Sequence, residues 1–146
     1  MEMNNEDMTE SLLDTICYVI DILPTRVQEF EKFSEIEEYY LQKQELEKFT
    51  EKMVNIILKI QCYHDFEIYH GKWYRKVSPV QLAEMVRETI QSKEEFLNLL
   101  SRQDNMLLAI SGQALYMSVY NPTLAAIANL SMLATAEGLF MRRAEN

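Results

Sequence analysis

From Asn105 to Ala136 the chain runs for 32 residues without a charged side chain. In water such a run has few places to go. It lies in the protein core, against another copy, or in a bilayer. A bilayer span needs about 20 consecutive apolar residues. Asn121-Pro122 divides this run. Its first arm carries Ser111, Gly112, Gln113 and Ser118, and its second carries Asn129, Ser131, Thr135 and then Glu137. A membrane-inserting helical bundle is therefore the minor alternative. Pro122 suits the first turn of a helix, where a missing N–H costs nothing. The run is thus expected to form a helical hairpin, about Asn105–Tyr120 and then Pro122–Met141. Ala125, Ala128, Ser131, Thr135 and Gly138 form a stripe of small residues on the second arm. Small residues let two helices approach closely, so this stripe is the expected self-association surface.

Glycine and proline number 3 each. Sheet proteins of this size need many tight turns, and these two residues are the usual turn formers. The scarcity points to an all-α fold, a multi-helix bundle of about five to seven helices. Thr9 is positioned to cap a helix reaching Leu23, with Leu12, Leu13, Ile16, Val19, Ile20 and Leu23 as its stripe. Pro24 interrupts it. A second helical segment follows; Ser34 and Glu37 form a capping box, so a new helix starts there or one helix runs through. Tyr39 to Tyr63 is the best-patterned stretch. Leu46, Phe49, Met53, Ile56, Ile60 and Tyr63 recur at alternating spacings of 3 and 4. That is a heptad seam on a long amphipathic helix, used inside a bundle or between two copies. Ser78 and Pro79 open a further helix. Ser92 with Glu95 reads as the capping box of another, through Leu100. Residues 66–75 fit either a helix ending at His70 with Gly71 as its C-cap, the favoured reading, or a short β-hairpin turning at His70-Gly71. Residues 1–8 read as a disordered acidic tail and 9–146 as a single domain.

The 146-residue chain has a formal net charge of −9. Residues 1–51 alone carry a net of −10. Such a charge repels a phosphate backbone, so nucleic acid is excluded as a partner. Cys17 and Cys62 lie in apolar patterns without metal-binding spacing, which suggests buried, reduced thiols. The polar, acidic start lacks the features of a secretion signal. A cytoplasmic location is expected.

Two clusters bear on chemistry. His64, Glu67 and His70 fall within seven residues, with Asp65 beside them. On a continuous helix, Glu67-x-x-His70 is the carboxylate–imidazole spacing of metal-binding bundles. Completing such a site requires carboxylates from elsewhere, such as Glu84, Glu88 or Glu95. This is the metal-binding or metal-dependent-enzyme alternative. Tyr69, Trp73, Tyr74 and Arg75 are of the residue types that dominate binding hot spots, and are the candidate partner-binding set. No phosphate loop, nucleophile elbow or zinc-protease motif occurs, and no cofactor is implied. The leading expectation is a non-catalytic protein that binds another protein and forms a homo-oligomer.

Overall fold

The computed structural model describes residues 3–144. It overturns the all-α, helical-bundle expectation. Among the described residues the chain forms one seven-stranded antiparallel sheet and five helices. In chain order these are α1 (Asn5–Leu12), β1 (Cys17–Asp21), α2 (Phe30–Tyr40), α3 (Lys43–Ile60), β2 (Glu67–Tyr69) and β3 (Trp73–Tyr74). Then come α4 (Pro79–Gln91), β4 (Phe96–Ser101), β5 (Met106–Ser111), β6 (Tyr116–Tyr120), α5 (Leu124–Ala136) and β7 (Phe140–Arg143). The strand order is β3-β2-β4-β5-β6-β1-β7.

The alternation of the strands sorts the layers. Ile20, Ile68, Leu97, Leu99, Leu108, Ile110, Met117 and Val119 face one side and join α3, α4 and α5 in the main core. Leu100 and Leu107 face the other side, where Met8 and Leu12 of α1 cover them. Central strands β4 and β5 are thus apolar on both faces over part of their length. That is why their sequences do not alternate cleanly.

The expected helical hairpin is instead β5, β6 and α5. The left-handed positions in its turns are not glycine. Asn105, Gln113 and Asn121 adopt positive φ, at 52°, 56° and 57°, so scarce glycine did not prevent a sheet. The expected helix from Thr9 to Leu23 is split. Asn4 caps α1 in place of Thr9, and residues 5–8 of the expected tail form its start. Backbone bonds from Asp14 to Ser11 and from Thr15 to Leu12 close the helix. The β-branched and aromatic residues Tyr18, Val19 and Ile20 then favour a strand. One helix, α2, runs through Ser34, and the chain breaks at Leu41–Gln42 before α3. The heptad residues Leu46, Phe49, Met53, Ile56 and Ile60 are buried in the chain's own core. The seam is therefore intramolecular, and Tyr63 lies beyond it, exposed.

Ser78 caps α4 and Pro79 begins it, as expected. Ser92 Oγ accepts bonds from the backbone N–H of Glu94 and Glu95, but the turn it pins leads into β4 and not into a helix. Residues 67–74 form the β-hairpin, in the register Tyr69↔Trp73 and Ile68↔Tyr74. The favoured helix end at His70 is thereby replaced. Gly71, at φ 74°, takes the left-handed position at the hairpin tip. Among the described residues no helix is long and apolar enough to cross a membrane.

Candidate functional site

The strand geometry of residues 67–69 removes the helical spacing that grouped His64, Glu67 and His70. His64 lies between the end of α3 and β2. Its Nδ1 bonds an Asp104 carboxylate oxygen at 2.6 Å, and Ser101 Oγ donates to the same oxygen at 3.2 Å. The His64 hydrogen bond holds the Asp104 carboxyl below the usual carboxylate range. Glu67 pairs with Leu100 across the sheet. His70 sits at the tip of the β2–β3 hairpin, and its Nε2 bonds Glu95 at 2.8 Å. Each histidine therefore has its own carboxylate, from a different part of the chain.

His70 has a second acidic neighbour. Ligand atoms of His70, Glu88 and Glu95 all lie within 4.8 Å of one another. Three elements bring them together: the hairpin tip, the last turn of α4, and the turn before β4. Tyr69, Glu94 and Phe96 join them in lining a cleft of about 390 Å³. The Tyr69 and Phe96 rings stack at 5.5 Å and form its apolar side.

The turn carrying Glu95 is held by the neighbouring backbone. Ser92 Oγ accepts from the Glu95 N–H, and the Gly112 N–H donates to the Glu95 carbonyl at 2.9 Å. A Cβ on Gly112 would lie 2.1 Å from the Ser92 carbonyl oxygen. Only glycine lets the two turns approach so closely. The sequence offers Glu88 and Glu95 as outside carboxylates without placing them beside His70. That required the hairpin and the β2–β4 pairing.

The aromatic–cationic set is dispersed. Trp73 packs with Met8, Leu12, Leu100 and Leu107 beneath α1. Tyr74 packs against the main core, and Lys72 lies 5.2 Å from its ring centroid. Tyr69 packs edge-on against Trp73, and Arg75 is exposed. These residues do not form one surface. Trp73 chiefly fills the space between hairpin and helix.

Four residues of the small-residue stripe lie on α5 and Gly138 lies in the turn after it, and the structure turns much of the stripe outward. Ala125, Ala128, Thr135 and Gly138 are exposed, and Ser131 is half-buried. Leu124 and Met132 are also exposed, at 87 % and 72 %. The buried side of α5 is Ala126, Leu130 and Ala134.

A groove of about 620 Å³ lies between strands β6, β1 and β7 and the segment leading into α2, with Phe30, Phe33, Val19 and Tyr116 among its walls. Arg142 bonds Asp21 across its floor at 2.8 Å. Cys17 also lines it, and burial pushes this thiol above its ordinary range, which disfavours the nucleophilic thiolate. Both cysteines are free thiols, and Cys62 is exposed where a buried residue was expected. Comparison with protein-family models, curated proteins and solved structures gives no match.

Proposed function

We propose that this chain is a non-catalytic cytoplasmic protein that works by protein–protein interaction, and that its first partner is a second copy docked through the outward face of α5. The observation carrying this reading is the uncharged outer side of α5, where Leu124 and Met132 are 87 % and 72 % exposed. Charge selects the partner. The other four helices all carry acidic residues, and the chain has a net charge of −9. Most ways of pressing two copies together therefore oppose like charges. The α5 face meets its own copy without that penalty, as a two-fold contact requires. Ala125 and Ala128 allow close approach of the two helices.

A 13-residue helix is about 20 Å long at ~1.5 Å per residue. One such face is a small interface, and the dimer is expected to be of micromolar strength. Size-exclusion chromatography with light scattering, run across a concentration series, tests this. The expected result is a shift from monomer to dimer, abolished by Ala128→Glu with the circular dichroism unchanged. A wild-type chain that stays monomeric at several hundred micromolar sinks the proposal.

A further inference from the structure

We propose that His70, Glu88 and Glu95 form a binding site for one divalent metal ion of the zinc–manganese class. A neutral imidazole and two carboxylates sum to −2, which a divalent cation balances. Protonation of His70 answers only one of the two carboxylates. Glu94 lines the same cleft and makes it more acidic still. The His70–Glu95 pair alone would be an ordinary ion pair. Glu88, reaching in from α4, is the group that such a pair does not need.

The donor set narrows the choice of metal. One imidazole nitrogen with two carboxylate oxygens suits Zn²⁺ or Mn²⁺. Ca²⁺ prefers six to eight oxygens, and Mg²⁺ a nearly all-oxygen octahedron. Zinc bonds to nitrogen and oxygen are about 2.1 Å, which places tetrahedral ligands ~3.4 Å apart. The present atoms lie within 4.8 Å. Rotation of the exposed Glu88 side chain shortens the longer separations, and His70 Nε2 and the Glu95 oxygen, 2.8 Å apart in their hydrogen bond, move apart to admit the ion. Binding replaces the Nε2 proton of His70 by the metal, and the proton leaves to solvent or moves to Nδ1. Three protein ligands leave a fourth position for water.

The test uses the full chain, stripped with a chelator and titrated with ZnCl2 by calorimetry, then melted with and without the ion. The expected result is one ion per chain, a Kd of about 10 µM or tighter, and a raised melting temperature. His70→Asn, Glu95→Gln and Glu88→Gln are each expected to weaken binding at least ~10-fold. Glu88 is exposed, so its variant tests the site without endangering the fold. A Cys62→Ser, His64→Asn double variant is the control and is expected to bind like wild type. No saturable uptake below about 100 µM would overturn the site. So would wild-type affinity in Glu88→Gln, or loss of binding in the control. The dimer and the metal site lie on different elements, so either can fail alone.

Discussion

Helices α3 and α5 pack against each other on the same face of the sheet. Each buries one side in the main core, eight residues of α3 and three of α5, and their outer sides differ. The exposed positions of α3 are Lys43, Gln44, Glu47, Lys48, Glu51, Asn55 and Lys59. Those of α5 are Leu124, Ala125, Ala128, Met132, Thr135 and Ala136. A helix finished by water on its outer side carries charge there, as α3 does. On α5 that charge is missing along its whole length. Burial in a single copy accounts for every apolar residue of the α3 seam but leaves those of α5 half explained.

The largest expected effect lies on the α3 side. Met53 is fully buried, so Met53→Ala is expected to cost about 2–5 kcal/mol in chemical denaturation. Met132→Ala is expected to change the stability of the monomer by less than ~0.5 kcal/mol while weakening self-association in the same light-scattering series. If both methionines behaved alike, the comparison would break. A smaller effect concerns how α5 starts. Thr123 Oγ1 accepts from the Ala126 N–H at 3.1 Å. Thr123→Ala is expected to cost about 1 kcal/mol, read as a shifted denaturation midpoint.

The smallest effect is one of pH. The Arg87 guanidinium beside Glu51, joining α3 to α4, lowers that carboxyl's pKa, as His64 does for Asp104. A pKa depressed in the folded state means stability that is complete above the ordinary carboxylate range. It is lost as pH falls through and below roughly pH 4. Denaturation midpoints from pH 7 to pH 3 are expected to fall at the acid end, and to fall less in Glu51→Gln and Asp104→Asn. No side chain of α5 from Leu124 to Ala136 titrates, so its own contribution is expected to be flat across that range.

Where helix signals were strong, the sequence was legible. The seam from Leu46 to Ile60 and the Ser78-Pro79 start correspond to observed helices, while the helix expected over Pro122–Met141 starts at Leu124, capped by Thr123, and stops at Ala136. The sheet was not legible, for two physical reasons. Strands β5 and β6 belong to a buried sheet, and short apolar runs such as Met106–Ile110 look alike as strand or core helix. The left-handed positions of their turns are held by Asn105, Gln113 and Asn121, in a conformation usually assigned to glycine, so glycine did not mark them. The site shared the same fate. His70, Glu88 and Glu95 were all named from sequence, but their meeting depends on β2 pairing with β4.

The missing side chain of Gly112 has one more consequence. Its backbone lies against the end of α4, donating to Glu95 while the next N–H, of Gln113, donates to Ile90 at 2.9 Å. Two connections some twenty residues apart in the chain are thus stitched edge to edge, with no room for an atom between them. The α4–β4 and β5–β6 turns are therefore expected to open together, which amide hydrogen exchange would read as matched protection at Gly112 and Gln113.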